Sequence, residues 1–169
     1  HAKNYATNVR RIAGEGAQLL AVEVAVPIDH LTREEGATGT SDAVAITRDG
    51  AELQVHDYKY GMRGVSPERN RQLMHYASGA LRLYAALEAA DVERVRLVIH
   101  QPRVSEAPKE WDCSVDELRV FETEVKAAVA KVELARGVVD NEELLDGFFN
   151  PGEKQCQWCI AKPDCPHLA

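Results

Sequence analysis

Asp57-Tyr58-Lys59 puts a carboxylate and an ammonium two residues apart, at the end of the apolar run Leu53–Val55. Side chains alternate along a strand with period two, so Asp57 and Lys59 share a face. A second carboxylate opposite Asp57 would make a pair able to hold a divalent cation, with the lysine beside the phosphate that such a cation binds. Whether one stands there depends on Asp49-Gly50, a strong signal for a two-residue hairpin turn. With Arg48 and Ala51 flanking that turn, paired positions sum to 99. Val44 then faces Val55, Ile46 faces Leu53, and Asp42 faces Asp57.

One face of the hairpin therefore holds Val44, Ile46, Leu53 and Val55, is expected to be buried, and ends on the two aspartates. The opposite face carries Thr47, Glu52, Gln54, His56 and Tyr58 besides Ala43 and Ala45. A bulge would shift the pairing by one. Directly opposed residues have Cβ atoms about 4.5–5.5 Å apart, so the two carboxylates repel unless a proton or cation intervenes. Mg²⁺ suits such a pair, because it needs only one or two protein carboxylates and fills its other positions with water and phosphate oxygens. Lys59 would orient an attacking water or offset charge developing on the phosphate. The plainer alternative is that Asp42 opens a strand after a glycine turn while Asp57 and Lys59 form a surface ion pair.

Gln72 and Tyr76 lie four apart on a predicted helix and so are neighbours on one side of it; as an alternative, Tyr76 is a core aromatic and Gln72 a solvated amide. Glu23 is a further candidate metal ligand or supporting group. It alternates out of phase with Val22, Val24 and Val26, which equally suits a solvated strand face. His56 falls on the face opposite the carboxylates and is set aside as a base. His75 shows no partner and reads as a surface residue.

The elements that must carry these groups follow from periodicity. Tyr5, Val9 and Ile12 predict a helix within residues 3–14, ending near Gly14 or Gly16. Leu19–Ile28 reads as a strand closed by Pro27, residues 32–36 as a polar loop, and Ala43–Thr47 and Ala51–Lys59 as the hairpin strands. Ser66-Pro67 predicts the start of a helix, with Leu73, Tyr76, Ala77, Ala80, Leu83, Tyr84 and Leu87 as its buried stripe up to Ala90. Val95–Ile99 has the apolar character of a central strand, residues 101–109 form a loop, and Glu110–Cys113 an edge strand. Ser114 and Glu117 have capping-box spacing at the head of a long helix. Leu118, Phe121, Val125, Ala128, Val129 and Val132 line that helix before Gly137 stops it, and Asn141–Leu145 is a short helix.

The 169 residues, 45% hydrophobic, suffice for one core, placed over residues 1–150 with a tail over 151–169. The chain opens on His1 rather than Met and is read as a fragment, a processed product or an incompletely ordered chain. No apolar stretch approaches the roughly 20 residues of a membrane span. The net charge of −7 argues against a general nucleic-acid coat. Between Lys59 and Arg71, however, Lys59, Arg63, Arg69 and Arg71 face a single acid, Glu68. Three of the four cysteines, Cys156, Cys159 and Cys165, crowd the tail, a pattern of metal or cluster binding in a reducing, cytoplasmic compartment. With His167 they would offer zinc a Cys₃His set, although the one-residue gap between Cys165 and His167 is cramped for a single tetrahedron. Unliganded tail cysteines are the remaining alternative. Cys113 reads as a packed small hydrophobe.

Taken together, Gly39-Thr40-Ser41-Asp42, Asp57-Tyr58-Lys59 and Gln72-Leu73-Met74-His75-Tyr76 resemble the RecB-like branch of the PD-(D/E)XK nuclease superfamily. In that branch Gly-x-x-Asp, Asp/Glu-x-Lys and Gln-x-x-x-Tyr occur in this order. The runs 57–61 and 70–81 are similar to a phage and prophage exonuclease family within it. The resemblance covers residues from about Leu19 to the C-terminus. It implies an α/β, restriction-endonuclease-like fold, a mixed β-sheet flanked by helices, with a C-terminal cysteine-rich tail. It implies Mg²⁺- or Mn²⁺-dependent cleavage of DNA phosphodiesters, as an exonuclease, with phage recombination or replication proteins as partners. Asp42 and Asp57 would bind metal, Lys59 would serve catalysis, and Gln72 and Tyr76 would shape the site or contact DNA. The branch also carries a metal-binding His on an upstream helix; His1 is the one candidate, so that helical segment is expected to be missing from this chain. Some members close their fold with a [4Fe–4S] cluster on three C-terminal cysteines and one distant cysteine, which would assign Cys156, Cys159 and Cys165 to a structural cluster. Two other functions fit the same residues: a catalytically silent DNA-binding or assembly module, and a zinc-binding interaction domain.

Overall fold

A computed structural model describes residues 2–84, 92–165 and 167. The chain divides into two compact units, residues 1–126 and 127–169. The division falls inside a helix, upstream of the boundary after residue 150 that composition suggests. Among the described residues no helix is long and apolar enough to cross a membrane.

The first unit is a five-stranded mixed sheet with helices on both faces. Its order is β1 (Leu19–Pro27), β2 (Thr38–Ile46), β3 (Glu52–Tyr58), β4 (Arg94–His100) and β5 (Lys109–Ser114). Neighbours are antiparallel except β3 and β4, which run parallel and are joined through a helix, as parallel pairing requires. Helix α1 (Ala2–Ala13) precedes the sheet and α2 (Asp29–Thr32) links β1 to β2; α3 (Arg71–Tyr84) lies in the β3–β4 crossover, and α4 (Val115–Gly137) follows β5.

The hairpin register is the expected one: Val44 pairs with Val55 and Ile46 with Leu53, all four buried. The turn itself is longer. The last backbone bond runs from Thr47 N–H to the Glu52 carbonyl, so residues 48–51 form a four-residue loop. Asp49 organises it, accepting from the Thr47 hydroxyl and the Ala51 amide, while Gly50 takes a φ of 73°. Extending the loop by one residue on each side leaves the sum of paired positions at 99, so every side chain keeps its face.

The opposite face is not solvated. Glu52, Gln54 and His56 are 3%, 1% and 0% exposed, because α1 packs over β2 and β3 there. Its Ile12 carbonyl accepts from Gln54 Nε2 at 3.1 Å, and its Tyr5 ring meets Tyr58 and His100 edge-on. Buried polar groups are tolerated there because they bond along the face. Glu52, for instance, pairs with Arg94 at 3.0 Å and lies 3.6 Å from Arg96.

Helix α3 starts later than Ser66-Pro67 suggests. Ser66 Oγ accepts from the Glu68 amide in a tight turn, and Arg69 adopts a left-handed φ of 48°, which a right-handed helix cannot pass through. Asn70 is the cap, accepting from the Leu73 amide at 3.2 Å. Leu73, Met74, Ala77, Ser78, Gly79 and Ala80 are the buried residues, whereas Leu83 is 40% exposed. Leu87 and Ala90 lie outside the described residues. Helix α4 begins as expected, with Glu117 N–H bonded to Ser114 Oγ and Ser114 N–H to Glu117 Oε2. Leu118, Phe121 and Val125 are buried, but the apolar stripe continues into exposed Ala128 and Val132.

In the second unit, Asn141 caps α5 (Glu142–Asp146) by accepting from the Leu144 amide. Phe149 stacks on His167 at 4.4 Å, and His167 Nε2 lies 3.0 Å from Asp146 Oδ1.

Candidate active site

Asp57, the next-to-last residue of β3, lies beside Ile99 of the parallel strand β4. Its carboxylate is buried, and Lys59 bonds it through Nζ to Oδ1 at 3.1 Å. The same ammonium donates to Gln72 Oε1 at 3.0 Å, and Gln72 Nε2 donates to the Tyr76 hydroxyl at 2.9 Å. Four residues separated by up to 19 positions thus form one hydrogen-bonded chain, Asp57–Lys59–Gln72–Tyr76. The alternation of β3 explains the division of labour. Leu53, Val55 and Asp57 address α3, while Gln54, His56 and Tyr58 address α1.

Asp42 joins this group from β2. The β2–β3 ladder runs to Ala43 and His56, and one step beyond it Asp42 Oδ2 accepts from the Tyr58 amide at 2.6 Å. The carboxylate thereby takes the place of a main-chain acceptor where the two strands part. Gly39, three residues upstream, lies under the Tyr76 ring. A Cβ there would stand 2.9 Å from Tyr76 Cδ1, which gives the glycine of the Gly-x-x-Asp string a packing reason.

The electrostatics set Asp57 apart. Burial raises the pKa of its carboxyl, the hydrogen bond and charge of Lys59 pull it down, and Asp42 pushes it up again. Oδ2 lies 3.0 Å from the lysine ammonium, yet the angle makes no hydrogen bond, and among the described residues this buried oxygen has no other partner. An orphaned anionic oxygen next to a second carboxylate fits a hard divalent ion that keeps most of its waters. Among the described residues no three or more His, Cys, Asp or Glu side chains converge, so the protein would contribute two carboxylates. Glu23 is not gathered in. The pairs Val22–Ala43 and Val24–Ser41 place it opposite Asp42, but it is exposed and takes a left-handed φ of 50°.

The site has further parts that the motifs do not mention. Gln101, the residue after β4, is 3% exposed. Its Nε2 donates to the Gly61 and Arg63 carbonyls and its Oε1 accepts from the Val65 amide, which ties down the loop carrying exposed Arg63. Tyr5 of α1 has a buried hydroxyl without a partner among the described residues, and burial together with Asp42 and Asp57 raises its pKa. Only the helical stripe hinted at Tyr5; nothing near Gln101 in the chain points to its three loop bonds.

Two histidines are better placed than their sequence context suggests. His75 Nδ1 donates to the Arg71 carbonyl, and its ring meets Phe121 of α4 edge-on at 5.0 Å, so it is half-buried rather than free at the surface. His56 lies on the face away from the carboxylates and is fully buried. His1 lies outside the described residues. The helix upstream of the sheet is α1, and it brings Tyr5 towards the aspartates.

Among the described residues, the tail cysteines are not gathered into a group of three or more metal-ligating side chains. Cys156 and Cys165 are half-buried and Cys159 is exposed; Cys156 Sγ accepts from the Gly152 amide, and His167 is engaged with Asp146. In this arrangement they do not fit a zinc ion or an iron–sulfur cluster. Cys113 is buried in β5, where burial pushes its thiol up to about 11, as befits a packing residue. The family described as "Protein of unknown function (DUF2800)" matches residues 1–169, the whole of the sequence, and the chain belongs to that family.

Proposed function

We propose that this protein is a metal-dependent DNA nuclease, acting as an exonuclease, that hydrolyses phosphodiester bonds with Asp42, Asp57 and Lys59 at its centre. The observation that carries the reading is the hydrogen-bonded chain Asp57–Lys59–Gln72–Tyr76 beside Asp42. A structural ion pair would need neither the Gln72–Tyr76 extension nor a second carboxylate at the strand end.

Asp42 and Asp57 would hold Mg²⁺ or Mn²⁺, which when bound supplies a polarised phosphoryl oxygen and a water of lowered pKa. Asp57 must be ionised for that role, and Lys59 favours the ionised form. Gln72, fixed by the Tyr76 hydroxyl, holds the Lys59 ammonium so that its charge stays directed at the site. Arg63 and Arg69, both exposed on the β3–α3 loop, supply positive charge along which a phosphate backbone can lie. The same fold with a silent site would bind DNA without cleaving it.

The experiment is degradation of linear DNA with Mg²⁺ or Mn²⁺, compared with EDTA. Asp57→Ala should abolish cleavage, and Lys59→Ala should lower kcat by about 10²–10³-fold, as loss of a transition-state charge partner does. Unimpaired cleavage by either variant overturns the assignment, and tight DNA binding without turnover selects the silent module.

A further inference from the structure

Strands β3 and β4 run parallel, so the loops that leave them emerge at the same end of the sheet. The chain leaving β3 stays on β4 for one more bond, from Lys59 N–H to the His100 carbonyl at 2.8 Å. Beyond it, the buried Gln101 side chain bonds the Gly61 and Arg63 carbonyls and the Val65 amide, while the Gln101 carbonyl accepts from the Val104 and Ser105 amides. A single residue thus braces the loop of residues 59–70 and the loop of residues 101–108.

What the braced loops present is apolar and cationic. Tyr60 is 53% exposed, and Met62, Arg63, Arg103 and Val104 are exposed as well. Single exposed apolar side chains are common, but these stand with two cations on loops that are held in place. The Tyr58 and Tyr60 rings are nearly parallel, 18° apart, with centroids 6.3 Å apart, which is an offset arrangement rather than a face-to-face one. The Arg103 guanidinium lies over the Tyr60 ring at 5.1 Å. An aromatic ring and a guanidinium plane are both surfaces on which a further flat group stacks. The charge points to a polyanion. The chain carries −7 overall, yet Arg103 adds to a segment, residues 59–71, in which four cations meet the single acid Glu68; Glu106 is the acid of the second loop.

We propose that Tyr60 and Arg103 form a stacking platform for an unpaired base of single-stranded DNA, beside the nucleotide whose phosphate is handled by Asp42, Asp57 and Lys59. This rests on the nuclease reading and narrows its substrate to a single strand. A nucleotide strand pairs an anion with a flat ring at every step, which matches cations set beside a ring. In a duplex the faces of internal bases are covered by their neighbours, so only an unpaired base offers one to the platform. Tyr60 follows Lys59 directly, its Cα about 3.8 Å further on, while the Lys59 ammonium rests on Asp57. Lys59 addresses α3 and Tyr60 the side of Tyr58. A strand that lays its phosphate on the carboxylates therefore passes round the end of β3 and brings a neighbouring base to Tyr60.

The test is fluorescence anisotropy in EDTA with a labelled oligothymidylate of about twelve nucleotides. An abasic strand, a duplex and an oligouridylate of the same length serve as comparisons. The thymidine strand should bind at least about ten-fold more tightly than the abasic strand, and more tightly than the duplex. Tyr60→Ala should remove about ten-fold from the thymidine strand and leave the abasic strand unchanged, whereas Tyr60→Phe keeps the ring and should keep the affinity. Arg103→Ala should weaken both strands and lower the salt slope by about one. Both side chains are exposed, so the thermal midpoints of the variants should hold, which separates lost recognition from lost fold. An abasic strand bound as tightly as the thymidine strand, or unchanged binding by Tyr60→Ala or Arg103→Ala, overturns the platform even where DNA is cleaved. A duplex or an oligouridylate bound more tightly than the thymidine strand overturns single-stranded DNA as the ligand. Base-dependent binding that Tyr60→Ala removes, in a protein unable to cleave DNA, overturns the nuclease reading and keeps the platform.

Discussion

Gly39 and Tyr76 are in contact through the place where a side chain at position 39 would be: a Cβ there would meet the tyrosine ring at 2.9 Å from Cδ1. The ring in turn accepts through its hydroxyl from Gln72, which accepts from Lys59. A backbone feature of β2 therefore sets the position of the ammonium on the far side of the site. Gly39→Ala is expected to cost about 1–3 kcal/mol through overpacking and to reduce cleavage with the fold intact. Tyr76→Ala should relieve the clash, so a double-mutant cycle by denaturant unfolding should show a coupling of at least about 1 kcal/mol. Additive effects of the two substitutions would show that the ring does not rest on the glycine.

Asp57 makes the pH dependence of stability informative. Its folded pKa is raised, chiefly by burial. A carboxyl shifted upwards contributes stability that is fully present below its unfolded pKa and is lost as pH rises through the folded pKa. Without metal, Asp57→Asn should therefore raise the thermal midpoint at pH 7 by a few degrees, and the gain should shrink to nothing as the pH falls below about 4. The same substitution should remove any rise in midpoint caused by millimolar Mg²⁺ or Mn²⁺. A midpoint lowered by Asp57→Asn at pH 7 would mean that the Lys59 pair outweighs burial.

The histidine pair acts with the opposite sign. Burial lowers the pKa of His56 to about 3 and of His100 to about 4. Groups shifted downwards contribute stability that is present above the unfolded pKa and is lost as pH falls towards the folded one. Unfolding free energy should fall between pH 6.5 and 4, with a loss on the order of 3 kcal/mol from His100 alone once its titration is complete. His100→Gln should flatten that acid limb in urea unfolding, and a limb of unchanged slope would refute the assignment.

Gln101 carries three hydrogen bonds to the loop after β3. Gln101→Ala is expected to free two carbonyls and an amide, to increase proteolytic cutting between Gly61 and Val65, and to destabilise the protein by about 1–3 kcal/mol. Because the loop carries Arg63, DNA affinity should weaken about ten-fold or less, with a shallower salt dependence. Hydrogen exchange at Val65 that matches the unaltered protein would rule out the tether.

How much of this was legible in the chain depends on how local each determinant is. The hairpin register, the shared face of Asp57 and Lys59, the Ser114–Glu117 capping box and the adjacency of Gln72 and Tyr76 all follow from turn chemistry and from the periods 2 and 3.6, which act within a few residues. These determined the candidate site and most of the sheet. The contacts that only the tertiary structure decided join segments far apart. Helix α1 buries Glu52, Gln54 and His56, which alternation alone assigned to the polar face. Asn70 replaces Ser66 as the α3 cap because Arg69 turns left-handed. Tyr5, His100 and Gln101 join the site through partners 36 or more positions away or through a cavity between elements. Periodicity reports which face a residue occupies; what covers that face is set by the packing of elements that no local pattern describes.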